Sequence, residues 1–326
     1  MGKKKVILDC DPGTDDAVAI MLAAKHLDVL GITTVGGNSG LDNTTRNALA
    51  VLEVIGLVDE IGVYPGKDRP LKGNLQTAED VHGKTGLGDV ELPEPTHSPQ
   101  PMHGIDFIIK TVMSTDDVTI IATGPLTNVA MAILREPRVA ERVREICIMG
   151  GSTLIGNVEP VAEFNIHTDP EAAHVVFHSG AHIKMVGFNL TRQCVIDEEA
   201  AAALESLGTA AGDLAAKLAR FTINNAGGDI ADVAVEHDPC TVAWEIDESL
   251  IKAVPMHVDV ELDGKLTRGM TVCDARHLLG SDPAVDIERE ATMEPKGVAN
   301  AEVALELDQP AFMRLLTSTL ASYPKV

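Results

Sequence analysis

The sequence predicts an α/β protein with a mainly parallel, doubly wound central sheet, flanking helices, and a site at the C-terminal ends of the strands. Three observations lead there. Short apolar runs of strand length alternate with stretches of helical periodicity along most of the chain. Several of these runs stop at Gly, Pro, Asp or Asn, as strands do where they hand over to a helix. The chain has 326 residues, 45% of them hydrophobic, which can bury a large core.

Val6 to Leu8 reads as a buried parallel strand, closed by Pro12 and Gly13, with an apolar-periodic helix from Ala17 to Leu27. Leu30 to Val35 is a second strand, ending in Gly36-Gly37-Asn38. Thr44 to Ile55 is a helix with Leu49, Leu52 and Ile55 on one face. Ile61 to Tyr64 is a third strand, stopped by Pro65 and Gly66. Residues 67 to 101 are rich in Gly, Pro and charge and lack a period, the signature of a lid or binding loop. The alternation then resumes. Gly104 to Met113 is helix, Val118 to Ala122 strand, and Thr123 to Asn128 a turn opening another helix. Ile146 to Met149 is strand, Asp169-Pro170 a helix start with an acid at the cap, and Ile183 to Val186 strand. Residues 197 to 225 form two Ala-rich helices, and Pro239 to Ile246 another. Met256 to Leu262 and Thr267 to Val272 form a hairpin around Asp263-Gly264. Val303 to Leu307 is a late strand and Gln309 to Leu320 a closing helix. With no Ser/Gly linker and no repeat, one domain is expected over 1–326.

Composition narrows the partners. Lys plus Arg number 26 against 49 Asp plus Glu, a formal net charge of -23. Such a surface repels nucleic acid and anionic membranes and is easiest to reconcile with a neutral small-molecule substrate. Aromatics are 3%, too few for an aromatic-lined groove. The five cysteines are scattered without a CxxC pair, which points to reduced thiols and a cytoplasmic protein. Only three apolar residues separate the N-terminal lysines from Asp9, too few for a signal-peptide core.

The chemistry concentrates in Asp9-Cys10-Asp11-Pro12-Gly13-Thr14-Asp15-Asp16-Ala17. Four carboxylates crowd one strand-to-helix turn. Asp9 and Asp11 share a strand face, and Asp15 and Asp16 sit where a helix N-terminus favours anions. A cap needs one acid, not four. A hard divalent cation with oxygen ligands would relieve the repulsion, and Ca²⁺ tolerates several carboxylates better than Mg²⁺. Asp11, Asn38, Leu126, Met149 and Asn165 all fall at the expected carboxyl ends of strands, where such sheets place ligands.

This nine-residue stretch resembles the DxDPGxDDA signature of the nucleoside hydrolases, the inosine–uridine-preferring family. The resemblance extends over nearly the whole chain, to Leu266-Thr267-Arg268-Gly269-Met270-Thr271-Val272. It implies Ca²⁺-dependent hydrolysis of the N-glycosidic bond of ribonucleosides. It implies a cation held by Asp11, Asp16, the Leu126 carbonyl of Gly124-Pro125-Leu126-Thr127-Asn128, and Asp238 of His237-Asp238-Pro239. Asp11 is the expected general base. Asp15, Asn38, Glu163, Phe164 and Asn165 (the last three as Glu-Phe-Asn), Asn157 and Met149 are implied on the substrate side. His237 is assigned to the departing base, with His82 of His82-Gly83-Lys84-Thr85-Gly86-Leu87 in the same neighbourhood. A riboside preference over deoxyribosides and a homo-oligomer, tetramer or dimer, are further implications.

Two other readings share some of these residues. Haloacid-dehalogenase-like phosphatases also begin Asp-x-Asp after a first strand, but their pattern wants Thr or Val where Gly13 stands. A non-catalytic nucleoside- or ribose-binding protein with a structural Ca²⁺ would need the same ligands without the base.

Overall fold

The computed structural model describes residues 2–225, 230–276 and 297–325. In chain order its elements are β1 (Lys5–Cys10), α1 (Thr14–His26), β2 (Asp28–Thr34), α2 (Leu41–Val54), β3 (Val63–Pro65), α3 (Glu79–His82), α4 (Gly104–Ser114), β4 (Val118–Ala122) and α5 (Thr127–Arg135). Then come α6 (Arg138–Arg142), β5 (Glu145–Met149), α7 (Phe164–Thr168), α8 (Pro170–Phe177), β6 (Ile183–Val186), α9 (Phe188–Thr191), β7 (Val195–Ile196), α10 (Glu198–Glu205) and α11 (Ala210–Asn224). The chain continues through β8 (Ala234–Val235), α12 (His237–Ile246), β9 (Ile251–Met256), β10 (Val258–Val260), β11 (Thr271–Cys273), β12 (Ala301–Leu307) and α13 (Gln309–Ala321).

Eight strands make the main sheet, in the order β3-β2-β1-β4-β5-β6-β12-β9. All neighbours run parallel except β9 against β12. The order turns back between β1 and β4, so the chain leaves these two strands toward opposite sides and opens a crevice at their carboxyl ends. One apolar layer, with Met21, Leu52, Leu218 and Phe312, covers one face. A second, with Ile108, Ile120, Val129 and Phe177, covers the other. α1 is buried from Thr14 to Ala23, so it is apolar on every side rather than on one stripe.

The predicted elements are recovered, with shifts that have physical causes. α1 starts at Thr14, not Ala17, because Asp16 Oδ2 accepts the Gly13 N–H at 2.9 Å and closes the first turn early. The predicted hairpin is shorter: β10 and β11 pair from Val258↔Cys273 to Val260↔Thr271. Met256 belongs instead to β9, paired with Ala301. β9 carries Pro255, which removes a donor and is tolerated because this strand is the sheet edge. The loop over 67–101 is largely irregular and carries the one-turn α3.

The amino ends of the strands hold a different device. Lys184 on β6 lies 3.3 Å from Glu145, 3.0 Å from Glu245 and 3.2 Å from Glu248. Lys4 adds ion pairs to Glu245 and Glu145 at 2.5 and 3.5 Å. Burial alone would lower the Lys184 pKa, but the carboxylates around it win and raise it, and Lys184 in turn helps hold Glu145 below its ordinary range. The Glu245 side chain is fully buried, so removing Lys184 leaves its charge to the more exposed Lys4. Lys184→Met is expected to cost about 3–5 kcal/mol in chemical denaturation. Lys184→Met combined with Glu245→Leu should recover much of that loss, and equal losses for both would mean that the ion pair does not carry the effect.

Candidate active site

The turn after β1 puts four carboxylates into one dry volume. Asp9, Asp11 and Asp16 are fully buried, and Asp15 and Asp238 nearly so. Asp238 arrives from the N-terminus of α12, which packs along α1. Carboxylate oxygens of Asp15, Asp16 and Asp238 lie within 4.8 Å of one another. Asp11 adjoins them through Asn38. The Asn38 backbone N–H donates to Asp11 Oδ2 at 2.6 Å, and its side-chain amide donates to Asp16 Oδ2 at 3.1 Å.

The surrounding backbone leaves room for nothing larger. A Cβ on Gly37 would come 2.0 Å from Asp11 Oδ2, and one on Gly124 would come 2.6 Å from Asp11 Oδ1. Both glycines are therefore required by close approach. Thr123 donates its hydroxyl to Asp16 Oδ1 at 2.8 Å. Asp15 Oδ2 accepts the backbone N–H groups of His237 and Asp238 at 3.2 and 3.4 Å, tying α1 to α12.

Burial raises Asp9, Asp11, Asp16 and Asp238, and neighbouring charges add to it for the last three. Burial, followed by the charge of Asp16, pushes Asp11 well above the carboxylate range, and burial with Asp15, Asp16 and Asp11 does the same to Asp238. Burial and Asp15 push Asp16 up to about 6. Asp9 also reaches about 6 by burial, opposed by hydrogen bonds from Thr33 and Asn128 that make it a structural acid behind the site. Asp11 Oδ1 and Asp15 Oδ1 are buried without a hydrogen-bond partner. Orphaned oxygens facing a knot of like charges are what a hard divalent cation satisfies, so the residues fit such an ion. The Leu126 carbonyl, at the start of α5, already accepts the Ala130 N–H at 2.9 Å and keeps one lone pair.

Above the knot lies a cavity of about 330 Å³, walled by Asp15, Asn38, His82, Met149, Asn157, Glu163, Phe164, Asn165, His237 and Asp238 among others. Asp11, Asp16 and Leu126 sit beneath it rather than in its wall. The side-chain amide of Asn165 donates to the carbonyls of Thr123 and Met149 at 2.7 and 3.1 Å, which uses both of its N–H groups. Glu163 caps α7, accepting the N–H groups of Asn165, Ile166 and Gly151 at 2.9, 3.2 and 2.8 Å. Burial raises the Glu163 pKa against those bonds. Asn157 accepts the Phe164 N–H at 3.0 Å, pinning a loop edge to α7.

The two histidines stand on separate walls. His82 comes from the 67–101 loop, its Nδ1 3.0 Å from the Thr14 hydroxyl at the start of α1. His237 Nδ1 lies 2.8 Å from the Thr191 hydroxyl, and its ring stacks on Phe188 at 5.9 Å between centroids. Thr77, Ala78, Asp80 and Val81 join His82 in the wall, which gives the aperiodic loop its place.

Of the site residues expected from the sequence, ten line the cavity, Asp11 and Asp16 join them through hydrogen bonds from Asn38, and Leu126 stands outside the wall at the start of α5. Several others had little or no signal. Thr123 opens the quoted turn but reads alone as a turn residue. Thr191, which orients His237, is silent in sequence. Glu236 is buried beside Asp15, has an unpartnered Oε2, and is pushed up to about 8 by burial and then by Asp15.

The family model for inosine-uridine preferring nucleoside hydrolases matches residues 6–314. The chain belongs to this family, which excludes the phosphatase reading. The pyrimidine-specific ribonucleoside hydrolase RihB of Escherichia coli (strain K12) is 37% identical, with 100% of this chain and 99% of that protein covered. Among solved structures, the plant nucleoside hydrolase PpNRh1 superposes with a TM-score of 0.88 at 34% identity, over 98% of this chain and 100% of that one. The purine-preferring ribonucleoside hydrolase from Gardnerella vaginalis gives 0.86 at 32%, over 98% of each.

The raised acids set a direction with pH. Asp11, Asp16, Asp238 and Glu236 hold protons in the folded chain that the unfolded chain has already released. Metal-free stability therefore falls as pH rises from the ordinary carboxylate range through about 6 to 8. In a chelator, Tm is expected to be higher near about pH 5.5 than near about pH 8, and excess divalent cation should flatten or reverse the trend. A chelated protein whose Tm climbs over that interval would contradict the reading.

Proposed function

We propose that the protein hydrolyses the N-glycosidic bond of ribonucleosides to free base and ribose, with Ca²⁺ as its cation. The observation that carries this is the placement of two orphaned carboxylate oxygens, Asp11 Oδ1 and Asp15 Oδ1, in an acid knot beside a cavity of about 330 Å³ whose wall mixes polar and apolar side chains. Asp11, Asp16, Asp238 and the Leu126 carbonyl would hold the ion. Asp15 belongs to the same knot and also to the cavity wall, so it is shared between the ion and a ribose hydroxyl. When bound, such an ion neutralises the knot and polarises the oxygens around it.

The remaining steps belong to the side chains. Asp11 accepts the proton of the attacking water, and the Asn38 backbone N–H holds its other oxygen in place. Water adds at the ribose C1′ as the bond to the base nitrogen breaks, so positive charge builds on the sugar. Asn165 spends its N–H groups on the backbone, so its carbonyl oxygen is left to accept from a ribose hydroxyl. Glu163, Asn157 and Asn38 complete the grip on the sugar, and Met149 and Phe164 line its apolar side. His237 donates to the leaving base, its ring held by Thr191 and Phe188. His82 faces the same space from the loop.

The printed names of the relatives differ in base preference, pyrimidine-specific for one and purine-preferring for another. Here the base would meet Val81, Val158, Thr222 and Val235, a wall with few polar groups and no geometry that demands one base.

A panel of nucleosides assayed for free base and ribose, with and without chelator, tests the activity. Asp11→Asn is expected to lower kcat by roughly 10²–10⁴-fold with the fold intact by circular dichroism. Full turnover in that variant would remove Asp11 from the base role, whereas nucleoside binding without turnover in the unaltered chain would mark a nucleoside-binding protein. His237→Ala should cost on the order of 10²-fold with inosine or uridine and little with a nitrophenyl riboside, whose leaving group departs unaided. Equal losses on both would take His237 out of the acid role.

A further inference from the structure

A second set of metal-ligating side chains stands outside the cavity, and none of its members lines that wall. His174 lies on the last turn of α8 and His178 is the residue that ends the helix. Four residues apart, the two imidazoles share a face, with ring centroids 4.1 Å apart. Asp259 comes from β10, which packs against α8. One ligand atom from each of His174, His178 and Asp259 lies within 4.8 Å of the other two.

The hydrogen bonds around them are directional. His178 Nδ1 is 2.9 Å from the His174 carbonyl, an acceptor only, so that nitrogen carries the proton. Its Nε2 faces Asp259 Oδ1 at 2.9 Å. His257 repeats the arrangement, with Nδ1 at 3.1 Å from the Val298 carbonyl and Nε2 at 3.3 Å from Asp259 Oδ2. Two Nε2 atoms are thus aimed from different elements at one carboxylate, each by an N–H···O=C bond on its far side. A nitrogen lone pair facing a carboxylate oxygen repels it unless a proton or a metal ion lies between them. The Nδ1 of His174 is buried and has no hydrogen-bond partner. Imidazoles oriented from behind by backbone carbonyls are how proteins prepare transition-metal ligands.

We propose that His174, His178 and Asp259, with His257 alongside, form a binding site for a divalent transition-metal ion of the zinc class, clipping α8 to the β10–β11 ribbon. The donor set separates it from the acid knot. Imidazole with one carboxylate suits zinc-like ions, whereas carboxylates and carbonyls suit hard cations. The site is partly exposed, so it binds and releases its ion without unfolding of the sheet.

The test uses the full chain saturated with Ca²⁺ to occupy the acid knot. Zn²⁺ is followed by equilibrium dialysis, and Co²⁺ by its visible absorption. The expected result is about one Zn²⁺ per chain and a zinc-dependent rise in Tm. His178→Gln should weaken binding by at least about tenfold and abolish that rise. Nucleoside turnover in Ca²⁺ should be unchanged in this variant. His97→Gln is the control, since His97 also sits between two carboxylates, Glu53 and Asp59, but on an irregular segment rather than at a helix end that carries two histidines. Absence of zinc binding, binding indifferent to His178→Gln, or equal weakening by His97→Gln would each overturn the proposal and leave proton-bridged ion pairs.

Discussion

The burial of like charges where β1 ends is the constraint on which the rest of this structure depends. Asp11, Asp15, Asp16 and Asp238 are packed together away from solvent, and burial with the neighbouring charges makes Asp11, Asp16 and Asp238 harder to ionise. A fold can hold such a knot only by aiming positive partial charge at it. The chain does this with the N-terminus of α1, the N-terminus of α12, the Asn38 amide and the Thr123 hydroxyl. Even so, two oxygens remain without partners. Stability is surrendered locally for a cluster whose donors suit a cation, a common pattern at functional sites.

The sheet makes that concentration possible. Its order reverses between β1 and β4, so the turns after both strands open onto one crevice. The turn at 123–126 presses against Asp11 and Asp16, while the strand that precedes Asn38 supplies a donor from the opposite side. At the far ends of the strands the arrangement is inverted. There Lys184 and Lys4 stand among glutamates, every buried acid has a cation beside it, and Glu145 titrates below its ordinary range rather than above it. The same residue types thus lock the core at one end and stay poised for a ligand at the other, and the difference lies in whether a lysine was supplied.

The cavity above the knot is assembled from parts distant in sequence. His82 reaches it from a long aperiodic loop, His237 from the start of α12, and Glu163 and Asn165 from the short helix α7. Each is braced by its neighbours: Thr191 and Phe188 hold His237 from outside the wall, while Thr14 holds His82 and the Thr123 and Met149 carbonyls hold Asn165 from within it. Such bracing sets ring direction to within a hydrogen bond, which matters more for proton transfer than proximity alone.

Much of this was legible beforehand. The β-then-α alternation, the carboxylate run from Asp9 to Asp16 and the Gly-Pro-Leu turn follow from local pattern and spacing, because periodicity and turn chemistry are written in neighbouring residues. The early start of α1, the edge position of β9 with its Pro255, and the reassignment of Met256 depended on pairings with residues far along the chain. So did the roles of Thr123, Thr191 and Glu236, each an ordinary residue until a distant segment is packed against it. The sequence by itself determined the class of fold and the first half of the acid knot, because both are set by neighbouring residues. The resemblance named Asp238 as a partner of that knot, but only the tertiary structure brought it there and decided that Asp11 lies outside the cavity wall while Asp15 faces into it. The reason is physical: covalent spacing governs what neighbours can do, but burial, charge coupling and orphaned oxygens exist only once segments more than two hundred residues apart exclude water together.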